Sequence, residues 1–269
     1  MSAPTGVTMR TFLFDRCLLM QATSFVLPGD TLHHRRPAAS LLIADRAPFA
    51  TSLEGGAPQR YQSLLLAPNV ARGFIEANDS DFSLFDVGVD TPWFERIAAA
   101  LPPTGARELD AQELAAVRPL LQLSFSTKLN CRDARALCEQ LLGALKPQAV
   151  TAPARIHDER LRRVLDSIAA NPLDQLSLPQ LARVAGVSVS RLRSLFHDEL
   201  GCAPTHYLRW ITAWKAIGNW QPGLRLTGLI HAAGFHDLAH GNHVLNELFG
   251  VSPSRIANTR GASLQNCGG

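Results

Sequence analysis

The chain has no uninterrupted apolar run approaching the ~18 residues of a membrane span. Met1 to Asp15 lacks a basic segment followed by an apolar stretch and a small-residue cleavage site. Both absences argue against membrane insertion and secretion, so the expected location is cytoplasmic. The five cysteines (Cys17, Cys131, Cys138, Cys202 and Cys267) show no short paired spacing. That removes the sequence grounds for a zinc knuckle or a redox motif and fits reduced thiols. Charge of one sign is also scarce: 26 Lys and Arg against 23 Asp and Glu in 269 residues leave +3, which by itself points to no particular partner.

The charge that is present is unevenly placed. From Thr151 onward there are 12 Lys and Arg against 8 Asp and Glu, whereas the first 150 residues hold 14 against 15. Seven of the nine histidines also lie in the C-terminal part, where they add positive charge if protonated.

The length allows two ordinary domains, each with its own core. Between Thr11 and Asp90 the apolar residues come in short runs separated by Pro28-Gly29-Asp30, Gly55-Gly56 and Pro68-Asn69. This predicts an antiparallel barrel or sandwich. From Ala106, Leu109, Leu114, Val117, Leu120 and Leu121 recur at helical spacing, and Leu137, Leu141 and Leu142 repeat the pattern. Lys146 to Pro153 contains two prolines and little periodicity. The expected organisation is therefore α+β, with a β-rich domain and trailing helices over 1–150 and an all-α domain over 151–269.

The second half contains a repeat. Leu181-Ala182-Arg183-Val184-Ala185-Gly186 returns as Leu229-Ile230-His231-Ala232-Ala233-Gly234, and Glu199 to Pro204 returns as Leu248 to Pro253, at offsets of 48 and 49 residues. In the first copy Ser177 and Gln180 form a capping box, and Leu178, Leu181, Ala182 and Ala185 make one apolar stripe. Gly186 stands at the exit of this helix, and Ser188 can cap the next within two residues. Two helices joined so tightly must cross steeply. In the second of them Val189, Leu192, Leu195, Phe196 and Leu200 turn inward, leaving Ser190, Arg193, Ser194 and His197 outward.

Those outward side chains suit the major groove of double-stranded DNA, where Arg can pair bidentately with guanine and Ser can donate or accept. Arg191, to one side, is placed for a phosphate. In the second copy Val244, Leu245, Leu248 and Phe249 face inward, and His236, His240 and His243 outward. Gly241 falls where the stripe calls for a large apolar residue, so that helix is expected to lose packing and ~1 kcal/mol of propensity. Between the copies, Pro204 opens a helix with Tyr207, Leu208, Ile211 and Trp214 on its apolar face. This spacer would hold two reading heads in successive groove turns, roughly 34 Å apart.

Taken together, Leu178 to Gly186, Ser188-Val189-Ser190-Arg191-Leu192, Phe196, Gly201, Pro204-Thr205-His206-Tyr207-Leu208, Gly234-Phe235-His236-Asp237, His240 and Phe249 to Ser254 resemble the AraC/XylS family of transcription regulators. The resemblance covers about Ile156 to Ile256. It implies base contacts from Ser190, Arg193 and Ser194 in the first unit and from Ala239, His240 and His243 in the second. It also implies a cupin-like sensor with dimerisation helices in the N-terminal half. The departures are Thr212 for a usual Arg, Ile230 for a usual Ala, Gly241 for a usual aromatic and His243 for a usual Arg.

Other readings of single features are weaker. A cupin metal site needs more than His33-His34, and the next histidine is His157. The pair therefore reads as ordinary strand or loop. His236, His240 and His243 could hold zinc from one helical face, but no Cys or carboxylate clearly converges on them, so they read as a DNA-facing surface. Arg160, Arg162 and Arg163 read as a solvated face rather than a phosphate clamp. The leucines from Leu109 to Leu145 divide between internal packing and a homodimer seam.

The expected protein is thus a cytoplasmic regulator of promoter DNA, an activator or a repressor, that works with RNA polymerase and responds to a small molecule or partner. It is expected to be no enzyme and to need no metal or other cofactor. The competing reading is a metal-dependent cupin enzyme with the C-terminal part as a DNA tether.

Overall fold

The short apolar runs of the N-terminal half become strands, in a computed structural model that describes residues 9–27, 34–102, 105–148, 158–171, 175–219, 228, 230, 235, 237–249 and 262–268. They are β1 (Met9–Phe14), β2 (Cys17–Leu27), β3 (Ala38–Ala44), β4 (Phe49–Leu53), β5 (Gln59–Tyr61), β6 (Ser63–Leu66), β7 (Arg72–Gly88) and β8 (Ala106–Glu108). Asp15 and Arg16 both have positive φ, 34° and 64°, and join β1 to β2 as a two-residue turn. Such turns match the natural twist of paired strands.

Strand β7 organises the sheet. Along one edge it pairs β2 from Leu27↔Ile75 to Cys17↔Val87. Along the other it pairs β4 near its start and β3 over its second half. A 17-residue strand can in this way serve two groups of neighbours, and the sheet runs β8-β6-β3-β7-β2-β1 with β4 and β5 beside it. Phe12, Leu19, Leu41, Leu65, Phe82 and Phe85 are fully buried in its core. Each such side chain stabilises the fold by about 1.5–3 kcal/mol.

The helical spacing read from Ala106 onward does not correspond to a helix there. Ala106–Glu108 pairs with β6, and the helix begins only at Arg118. Arg107 donates to both carboxylate oxygens of Glu113 at 2.9 Å, and Glu113 also accepts from the Lys146 amide at 2.7 Å. These bonds hold the intervening turns, in which Leu109, Leu114 and Val117 are buried without being helical. Helices α1 (Pro92–Ala98), α2 (Arg118–Ser126) and α3 (Cys131–Ala144) complete this part. Asn130 caps α3 by accepting from the Asp133 amide.

Helices α4 (Glu159–Ala170), α5 (Leu178–Ala185), α6 (Val189–Leu200), α7 (Pro204–Gly218) and α8 (Leu238–Phe249) follow. Their core contains Leu161, Val164, Leu181, Leu192, Phe196 and Trp210. Residues 149–153 of the domain boundary expected at 146–153, and much of the second repeat, including Leu229, His231 to Gly234, His236 and Gly250 to Pro253, fall outside the described residues. So do Pro28 to His33 and His157.

The C-terminal part is not wholly helical. Ala262–Asn266 forms β9, which lies parallel to β1 from Met9↔Ala262 to Leu13↔Asn266. The last strand of the chain thus belongs to the first domain's sheet. Beside it Cys267 forms a disulfide with Cys131 at the start of α3. This corrects the expectation of five reduced thiols. The partners are 136 residues apart in sequence and meet only because β9 returns to the sheet. Cys17, Cys138 and Cys202 are free and buried.

Candidate nucleic-acid interface

The first helical pair forms as its caps dictate. Ser177 accepts from the Gln180 amide, and the Gln180 side chain returns to the Ser177 amide at 2.8 Å. Gly186 adopts φ 66°, where a residue with a Cβ is disfavoured, and Ser188 caps α6 through the Arg191 amide. Leu192, Leu195, Phe196 and Leu200 are buried. Ser190, Arg191, Arg193, Ser194 and His197 are all exposed. The Ser194 hydroxyl donates back to the Ser190 carbonyl at 3.4 Å, and Arg191 lies 3.9 Å from Asp198. This face is polar, cationic and as wide as one helix.

In the second unit Asp237 accepts from the His240 amide at 2.7 Å. Ala239, His240 and His243 are exposed, while Val244, Leu245, Leu248 and Phe249 are buried. His240 packs edge-on against Phe235, and His243 lies 4.0 Å from Glu247. Phe249 stacks on Trp210 with ring centroids 5.4 Å apart, which seats α8 on the spacer helix α7.

The packing loss expected at Gly241 does not occur. Gly241 is buried, and the Ile230 side chain fills the space that a Cβ there would need. Among the described residues there is no group of three His, Cys, Asp or Glu able to hold a metal ion. Arg160 pairs with Asp158 and Arg162 with Glu159, which fits a solvated face.

Residues 181–259 match a family described as a helix-turn-helix domain. This part of the chain is an AraC-type helix-turn-helix domain. The fold of the whole chain is similar to that of ToxT from Vibrio cholerae. An apo ToxT variant is 6% identical, with a TM-score of 0.60 over 91% of this chain and 97% of that one. ToxT with a bound unsaturated fatty acid is 8% identical, with a TM-score of 0.56 over 94% of each chain. At such identities the likeness is one of fold. No curated protein matches the chain.

What the residue pattern did not reveal is how the N-terminal domain holds the AraC-type domain. The Asn69 side chain donates to the carbonyls of Leu200 and Gly201, at 3.3 and 3.2 Å, where α6 ends. Arg36 Nε donates to the Leu248 carbonyl at 2.6 Å and its Nη2 to Phe249 at 3.2 Å. His34 Nδ1 lies 3.0 Å from the Glu247 carbonyl. Both recognition helices therefore end on donors from the other domain, which satisfy carbonyls that a helix C-terminus leaves open.

The spacer is held as well: the Tyr207 hydroxyl donates to Asp90 at 2.6 Å, and Asp90 also pairs with Arg16 at 2.7 Å. Burial and the Asp90 carboxylate raise the Tyr207 pKa well above its usual value, so it remains a donor. Beside this contact a cleft of about 680 Å³ opens between the domains. Val89 and Asp90 line one side, and Leu165, Ile168, Ile211 and Trp214 the other.

Proposed function

We propose that the protein regulates transcription by placing α6 in the major groove of promoter DNA, with α8 approaching a neighbouring turn. The observation that carries this reading is the two-sided character of α6, apolar and buried on one side, and exposed with Ser190, Arg193, Ser194 and His197 on the other. In this reading Ser190, Arg193 and Ser194 meet base edges and Arg191 meets a phosphate. Ala239, His240 and His243 form the smaller contact of the second unit. RNA polymerase is the partner through which binding acts, and the protein works in the cytoplasm without catalysing a reaction.

The N-terminal domain answers a small molecule. A ligand shifts an equilibrium only by contacting two arrangements differently, and the cleft beside Asp90 touches both domains at once. ToxT, a protein of similar fold, has been seen with an unsaturated fatty acid bound, so a small molecule of that kind is a candidate. Leu120 and Leu123, exposed on α2, support a homodimer seam there.

The test is genome-wide occupancy of the tagged protein, followed by salt-titrated binding of its best site against scrambled DNA. A two-part site bound at least about a thousandfold better than scrambled DNA is the expected result. Equal, salt-sensitive binding to both would reduce the interaction to electrostatic attachment and sink the proposal.

A further inference from the structure

Arg72, at the start of β7, is 2% exposed, and its Nε and Nη1 have no hydrogen-bond partner among the described residues. Its backbone exchanges hydrogen bonds with His34 at 2.8 and 3.0 Å, so the two residues stand directly opposite each other. Arg36 follows two residues after His34 and is itself buried. Two guanidinium groups are thus withdrawn from water side by side.

Among the described residues, one buried carboxylate faces them. Asp86 accepts from Arg36 Nη1 and from the Ser40 hydroxyl. The Arg36–Asp86 pair is neutral, which leaves the charge of Arg72 uncompensated. Burial pushes the Arg72 pKa down to about 9, with Arg36 lowering it further and Asp86 opposing. It is still protonated at neutral pH. A buried charge with unmet donors is among the costliest features a fold can carry.

A small cavity adjoins these groups, lined by His34, Arg36, Ser40 and Arg72 and closed by aliphatic residues such as Leu66 and Val70. Its free space is close to that of one water molecule, so an ion of chloride size enters only with a small outward shift of the Arg72 and Arg36 side chains. We propose that this cavity binds a single monatomic anion of chloride size, held by the free donors of Arg72 beside Arg36. Carboxylate, phosphate and sulfate groups are too large for it. Water could meet the donors but could not balance the charge.

The site also bears on the DNA-binding domain. Arg36, which shares the cavity, donates through its other nitrogens to the last carbonyls of α8. An anion that fixes the guanidinium pair therefore favours the arrangement in which the second recognition helix is gripped.

The test uses the purified full chain at constant ionic strength, with chloride replaced stepwise by gluconate. The melting temperature should rise with chloride, roughly with its logarithm above the dissociation constant. Well above the dissociation constant, each tenfold increase in chloride should raise the folding equilibrium constant by a factor approaching about ten until other linkages intervene. Arg72→Met should abolish this dependence, and bromide-grown crystals should show an anomalous peak beside Arg72. Identical melting in chloride and gluconate overturns the proposal, as does an undiminished chloride effect in Arg72→Met. Should that variant fail to fold, the wild-type titration and the bromide position still decide: a peak absent from this cavity rejects the site.

Discussion

A Cβ on Gly241 would stand 2.5 Å from Cδ1 of Ile230 and 2.7 Å from its Cγ2. Two departures from the family pattern, a large residue for a small one and a glycine for an aromatic, therefore compensate each other. The cost of helix propensity at Gly241 remains, about 1 kcal/mol relative to Ala, but the core is filled.

This pairing predicts strong coupling between the positions. Gly241→Phe should destabilise by about 1–3 kcal/mol through overpacking, and Ile230→Ala by about 2–5 kcal/mol through a cavity. Together they should cost clearly less than the sum. Denaturant unfolding of the double-mutant cycle measures this, and additivity within about 0.5 kcal/mol would show that the two side chains do not share one space.

Arg193→Ala should weaken DNA binding by about 1–3 kcal/mol and relax preference at one base position. Binding to a library of single-base variants gives the pattern. A uniform loss across the library would make Arg193 a phosphate contact instead.

Tyr207→Phe removes a hydroxyl from the domain contact while leaving Asp90 its Arg16 partner. Stability of the full chain should drop by about 1.5–3 kcal/mol, the usual range for a hydrogen bond to a charged group. No change in the unfolding midpoint would mean that the bond contributes nothing in solution.

His206 gives the contact a pH dependence. Its burial lowers its pKa below the ordinary 6.5, opposed by Glu247 and by a hydrogen bond to the Arg35 backbone, and assisted by the charges of Arg209 and Arg35. As pH falls through 6.5 the unfolded chain gains a proton that the folded chain resists, so stability should decline toward acid. Unfolding between pH 7.5 and 5.5 should show a shallower decline in His206→Gln than in the wild type. Equal slopes would assign the effect to other groups.

Much of this fold could be read from local rules. Ser177 with Gln180, Gly186 and Ser188 mark the ends of α5 and α6 because caps are local chemistry, and the exposed face of α6 follows from where its leucines recur. The failures were non-local. The stretch from Ala106 to Val117 has helical spacing, but the Arg107–Glu113 pair and strand pairing with β6 decide its shape. The docking by Asn69 and Arg36 was invisible for the same reason: each reaches more than 130 residues along the chain. Gly241 breaks its own stripe because Ile230, eleven residues earlier in the chain, occupies the space beside it.

Strand β9 changes what the DNA-binding module is in topological terms. Its chain follows α3 and returns to the sheet beside β1, where Cys267 is fastened to Cys131 at the start of α3. The module is an insertion moored at both ends rather than an appendage on a tether. A fragment cut near residue 151 would carry an orphaned strand, and a C-terminal truncation would bare an edge of the sensor. The two halves are separate in appearance but interlocked in chain path.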